Sequence, residues 1–363
     1  MNVNVLVIGK STLTSGSFDF GRLSVLLADR DYAIDRIYCA ETADDVRDAI
    51  AASGEDDMII AVGEIAYLEE AVGGESENGK MADYFRIGER TFVVMPTFDE
   101  RKVKEVVIPL LNVGSRKCFN TVVFRTFGKS EAELRDMLRD QIRNRSKIMF
   151  EFYPRGEECE VHVRYSRSTS SSAVNDMMNS VGDVIGDYVY AFKDVSLADS
   201  TAELLLLSGA KLSVAESFTG GGLASSLIAY PGMSKCLVES VVAYSNEAKQ
   251  TRLGVSSEVI EKLGAVSADC AFEMASGLLS GGRCDIAVAT TGNAGPKAEP
   301  GSSVGLYYIA VGDKDAIHVY EHYYMPSDTS LTDRQLREAI TRSGIETALF
   351  ELGKYLKNTK RRN

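Results

Sequence analysis

The chain has 363 residues, 45% hydrophobic and 25% charged, with a formal net charge of −12. That length accommodates two or three domains with substantial cores, and the acidic balance argues against general nucleic-acid binding, which needs a basic face against phosphates. No apolar run reaches the ~20 residues required to cross a bilayer, so no membrane partner is expected.

Six cysteines, Cys39, Cys118, Cys159, Cys236, Cys270 and Cys284, show no C-x-x-C spacing, and the chain opens without a charged and apolar signal segment. Reduced thiols in a cytoplasmic protein are the expectation. The basic tail from Lys357 to Asn363 reads as a solvated end.

Val3–Ile8 reads as a buried strand closed by Gly9 and a polar loop up to Ser17. The spacing of Leu23, Leu26 and Leu27 predicts a helix over Phe20–Asp29, followed by a strand at Ile34–Cys39. Thr42 is placed to cap a helix over Ala43–Ala52, and Met58–Val62 is a third strand. Thr91–Met95 adds a strand and Lys102–Leu111 a helix. Strands alternating with helices predict a Rossmann-like α/β domain over 1–115, a parallel sheet covered on both faces.

Residues 116–195 read differently. A strand at Thr121–Phe127, a charged helix at Ser130–Asn144, strands at Ile148–Tyr153 and Glu160–Tyr165 and a helix at Ala173–Ile185 predict a small α+β linker module, with a polar loop at Ser166–Ser172. It lacks the G-x-x-G clamp of a KH-type RNA binder.

From 196 onward a layered α/β domain is predicted. A helix over Asp199–Ser208 ends at Gly209, a strand at Lys211–Ala215 leads into the stretch S-V-A-E-S-F-T-G-G-G (Ser213–Gly222), and a helix covers Leu223–Tyr230. Strand Leu237–Tyr244, helices Asn246–Leu253, Ser257–Leu263 and Ala268–Leu279, strands Asp285–Thr290, Val304–Val311 and Ile317–Tyr324, and a final helix Thr332–Leu356 complete it. The glycine-rich stretch is thus a strand-loop-helix junction. Its glycines let a ligand approach the backbone, and the helix start would turn free N–H groups toward it, although an ordinary capped turn has the same composition.

After that junction come Y-S-N-E-A-K (Tyr244–Lys249), L-G-V (Leu253–Val255), G-A-V-S (Gly264–Ser267) and T-G-N-A-G-P (Thr291–Pro296). In this order and spacing, Thr201–Leu356 resembles the C-terminal, nicotinamide-nucleotide amidohydrolase domain of the CinA family. The resemblance implies hydrolysis of nicotinamide mononucleotide to nicotinic acid mononucleotide and ammonia, with a serine nucleophile, a lysine base and no cofactor or metal. A nucleotide-binding or regulatory protein that keeps the fold without turnover is the alternative. The family and the Tyr-rich strands between Tyr307 and Tyr324 also imply a homo-oligomer, a dimer. In element order, and in the opening Val7–Gly9, residues 1–115 resemble the molybdopterin-binding-like domain of full-length members, and 116–195 occupy the place of their KH-like linker. The phosphate-cradling motifs of the first are missing: Ala61–Glu70 and Met95–Phe98 stand where the family has its Gly-Pro loops, so metal-dependent cleavage of ADP-ribose is not expected.

Lys249 carries the closest physical reading. Capped by Ser245 or Asn246, it sits in the first turn of a helix, where the macrodipole and burial both disfavour the ammonium and favour a general base. The hydroxyl candidates for attack on a carbonyl are Ser234 in P-G-M-S, taken first, then Ser217, with Thr219 beside it; Tyr244 shares the lysine's motif. Gly220, Gly221, Thr219, Thr291 and Gly292 are candidate substrate-binding positions on the two loops. Arg337 and Arg334, near the start of the last helix, oppose its dipole unless an anion such as a phosphate lies between them. Asn293 and the run K-A-E-P-G-S-S depart from the family's loop, which leaves substrate preference open. His318, Glu321 and His322 spell a zinc-protease pattern that requires a helix, but the surrounding β-branched and aromatic residues predict a strand.

Overall fold

The computed structural model describes residues 2–10, 12, 18–28, 30, 32–73, 83–112, 119–143, 148–166, 169–298 and 302–360. Cys118, the predicted helix ends at Asp29 and Asn144, positions 11 and 13–17 of the first polar loop, 167–168 of the second, 299–301 of the loop after Thr291 and the tail from 361 lie outside them. The chain is α/β and divides into two compact units, one of 1–122, 142–153 and 162–176, the other of 123–141, 154–161 and 177–363.

In the first unit, β1 (Val3–Ile8) lies between β2 (Ile34–Ala40) and β3 (Met58–Gly63), followed outward by β5 (Arg90–Met95) and β4 (Tyr84–Ile87) in the order β2-β1-β3-β5-β4. The first four pair in parallel, and β4 is antiparallel to β5, an edge hairpin that the sequence pattern did not announce. Both β1 and β3 are buried on two faces, which is why they read as near-continuous apolar runs. The one polar residue of β1, Asn4, donates from Nδ2 to Asp57 Oδ2 at 2.9 Å. Thr42 caps α2 (Ala43–Ala52, the helix after α1 at Phe20–Ala28) in a reciprocal capping box with Asp45. Four further strands follow in the chain, β6 (Phe119–Phe127), β7 (Ile148–Arg155), β8 (Glu158–Ser166) and β9 (Val189–Ala191).

The sheet that positions the site runs β11-β10-β12-β13-β14: β11 (Leu237–Val242), β10 (Leu212–Glu216), β12 (Ile286–Gly292), β13 (Leu306–Gly312) and β14 (Ile317–Tyr323). The first three are parallel and the last two antiparallel. Val214, Val288 and Ile309 point into one core with Leu205, Leu223 and Leu349 from the helices at Leu197–Ser208, Gly222–Ile228 and Asp333–Lys360. Ala215, Ala287 and Ala310 point into the other, against Met274 and Leu278 of the helix Ala268–Ser280. Small side chains on that face let the helix pack closely. The chain leaves β10 to one side for β11 and returns past it to β12, so the carboxyl ends around β10 form a topological switch point, where open α/β sheets bind ligands. Among the described residues no helix is long and apolar enough to cross a membrane.

Candidate active site

Ser217 is the first residue beyond β10, and its N–H donates to Thr290 O of the neighbouring strand at 3.0 Å. Lys249 reaches it from the helix Asn246–Leu253, whose N-cap Ser245 accepts from Ala248 N. The lysine is 2% exposed. Its Nζ lies 3.0 Å from Ser217 Oγ and 3.3 Å from the Tyr244 carbonyl oxygen, donating to both. A buried amine on a hydroxyl is the geometry of a serine activated by a lysine.

The glycine turn performs a different task from the one expected of it. Gly220 and Gly221 take φ of +60° and +97°, which only glycine adopts without strain. The helix N–H groups they expose are not open to a ligand: fully buried Glu216 accepts from Gly221 N at 2.9 Å and from Leu223 N and Ala224 N at 3.0 Å, with Ser240 Oγ at 3.2 Å. The anion that the helix start attracts is therefore the protein's own carboxylate. The signal was present in the sequence, an acidic residue at a strand end one turn ahead of the glycines.

Several expected binding residues prove to be occupied in the same way. Thr219 Oγ1 pairs with Thr290 Oγ1 at 2.7 Å, and Thr291 Oγ1 donates to Ala265 O at 2.6 Å, holding the G-A-V-S loop. Gly292 lies in β12 where a Cβ would meet the ring of Phe218 at 3.0 Å. Arg337 donates from Nη1 to Gly295 O and from Nη2 to Tyr244 Oη, both at 2.6 Å, so it joins the T-G-N-A-G-P loop to the lysine's motif. Arg334 is separate, 88% exposed and paired with Glu338 along the helix surface. Ser234 is an exposed residue of the 3-10 turn Met233–Lys235 ahead of β11, at the amino ends of the parallel strands. That is a strand length from Ser217, roughly 15 Å, so the structure does not bring Ser234 to the lysine, and of the two favoured serines Ser217 alone meets it. The H-x-x-E-H stretch is β14. His322 stacks on Tyr307 and His318 lies against Tyr355, while Glu321 accepts from Tyr308 Oη.

A cavity of about 770 Å³ adjoins this centre, with Phe218, Tyr244, Arg337, Arg342, Glu158 and Glu346 among its walls. Burial, then repulsion from Glu158 and Glu157, pushes the Glu346 carboxyl up to about 7, against the pull of Arg342. Its acid form is favoured in the folded chain. Stability from this group is therefore full below its ordinary value of 4.5 and falls as pH rises through about 7. A shift of this size corresponds to at most about 3 kcal/mol, and solvent screening at a partly exposed group brings it to about 1–2 kcal/mol. Glu346→Gln should accordingly be more stable than the parent by that amount at pH 8 and indistinguishable near pH 4, which urea unfolding at both values would measure.

Residues 194–352 match the family model of the CinA C-terminal domain. This domain belongs to the CinA family. Among its relatives are putative competence-damage inducible proteins of Caldicellulosiruptor saccharolyticus, 33% identical over 63% of this chain and 56% of the relative, and of Clostridium kluyveri, 36% identical over 60% and 54%. The chain thus spans little more than half the length of the curated relatives it matches. A crystal structure of a CinA superfamily protein from Klebsiella pneumoniae is 32% identical over 45% of this chain and 96% of that one, with a TM-score of 0.41.

Proposed function

We propose that the CinA domain of this chain is an amidohydrolase, with Ser217 as nucleophile and Lys249 as its general base. The observation that carries this reading is the buried Nζ at 3.0 Å from the hydroxyl. In the proposed reaction the neutral amine takes the Ser217 proton as Oγ adds to the amide carbon. The same proton then leaves with the departing nitrogen as ammonia, and water hydrolyses the resulting acyl-serine. Tyr244 contributes its carbonyl, which orients the amine, and its hydroxyl, which holds Arg337.

The substrate proposed is nicotinamide mononucleotide, giving nicotinic acid mononucleotide. Family membership supports the choice, and so does the guanidinium of Arg337 on the cavity wall, which has five N–H donors and spends two on Gly295 O and Tyr244 Oη. Ammonia release from the nucleotide by the purified chain tests it. Binding without ammonia would instead indicate a nucleotide-binding protein.

Arg337→Ala should raise KM far more than it lowers kcat. Charge-assisted bonds to phosphate are worth about 1.5–3 kcal/mol, so kcat/KM should fall roughly ten- to a hundredfold. Unaltered kinetics would remove Arg337 from the phosphate site, whereas Arg334→Ala, on the solvated pair, should change nothing.

A further inference from the structure

Phe218 follows Ser217 directly in the chain, and its ring is 6% exposed. It lies 5.4 Å from the Tyr307 ring, centroid to centroid. Two glycines complete the slot around it. An added Cβ at Gly292 would meet the ring at 3.0 Å, and one at Gly344, on the helix Asp333–Lys360, would run into Phe218 Cζ. Tyr307 is itself fixed to that helix, its hydroxyl 2.9 Å from both Ser343 Oγ and Thr347 Oγ1. Gly344 is thus flanked by the residue that anchors the opposite wall of the slot.

Adjacent Cα atoms are about 3.8 Å apart along a stiff peptide. A ring held in one seat therefore limits where the Ser217 side chain can begin. We infer that the slot formed by Gly344, Tyr307 and Gly292 is the positioning device for Ser217: by gripping Phe218 it holds the serine hydroxyl at Lys249. This inference rests on the serine-lysine reading above, but not on the identity of the substrate. β12, β13 and the last helix close three sides of the ring, and the remaining side borders the cavity, so that is the direction in which it can yield. A methyl at 344 must displace the Phe218 ring, and on this inference the displacement is passed through the backbone to Ser217.

Labelling of Ser217 by a fluorophosphonate, followed as the modified peptide by mass spectrometry, reports the reactivity of the hydroxyl without any nucleotide. Gly344→Ala should slow labelling about tenfold to a hundredfold, the size of effect a displacement near 1 Å produces. Phe218→Leu placed in the Gly344→Ala background should recover most of the rate, because the smaller side chain fits the narrowed slot. Tyr307→Phe, which keeps the ring and loses both hydroxyl bonds, should slow labelling severalfold and serves if Gly344→Ala does not fold. A Gly344→Ala protein that melts earlier yet labels at the parent rate would overturn the inference, as would a double variant no faster than the single one. If Ser217 of the parent is not labelled at all, the serine-lysine reading fails and this inference with it.

Discussion

Lys249→Arg should lose at least about a hundredfold in kcat, and up to ten-thousandfold, the usual contribution of a positioned general base. The guanidinium stays charged and cannot take the Ser217 proton, and it also needs more room than a site 2% exposed provides. Lys249→Met separates the two effects: it keeps the apolar stem and removes the amine, so the fold should persist while the rate falls as far. Ammonia release under saturating nucleotide measures both. An arginine variant turning over near the parent rate would exclude the amine as base. Glu216, the residue before Ser217, could not then replace it, since its oxygens already accept three backbone N–H groups and a serine hydroxyl.

Ser217→Ala should lose about a thousandfold or more in kcat, and combining it with Lys249→Met should cost little further, because residues that act as one unit are strongly non-additive. Ser234→Ala should retain the parent rate. The reverse ranking, with Ser217→Ala active and Ser234→Ala dead, would mean that the reacting group lies at the other end of the strands. A multiplicative double variant would mean that the serine and the lysine act in separate steps.

How much of this was open to the sequence depended on what each residue had to face. Strands buried on two sides, such as β1, β10 and β12, were legible from their apolar runs, and the caps at Thr42 and Ser245 from short polar residues ahead of helical spacing. The hairpin strand β4 was not, because its exposed edge leaves no alternating pattern. Helix Ser130–Asn144 was expected as one piece but is two, Glu131–Met137 and Arg139–Arg143, broken where Leu138 leaves helical geometry and buries its side chain. Lys249 could be found because a lysine in a first turn conflicts with the local dipole, and such conflicts draw attention. Ser234 was ranked above Ser217 on motif position alone; the choice between them depends on which end of a strand each occupies, and spacing along the chain does not report that. Thr219, Thr291 and Gly292 share the site's neighbourhood, but their contacts turn inward to the fold.

The carboxylate of Glu216 beneath the glycine turn also acts on whatever enters from outside. Its oxygens already take the backbone N–H groups that a ligand anion would need at that helix start, so in the proposed reaction the phosphate would be held at Arg337 and not at the glycine turn. For the proposed substrate, with a phosphate at one end and an amide at the other, that would make the site directional: phosphate toward the last helix, amide toward the serine, with no anion seat for the opposite way round.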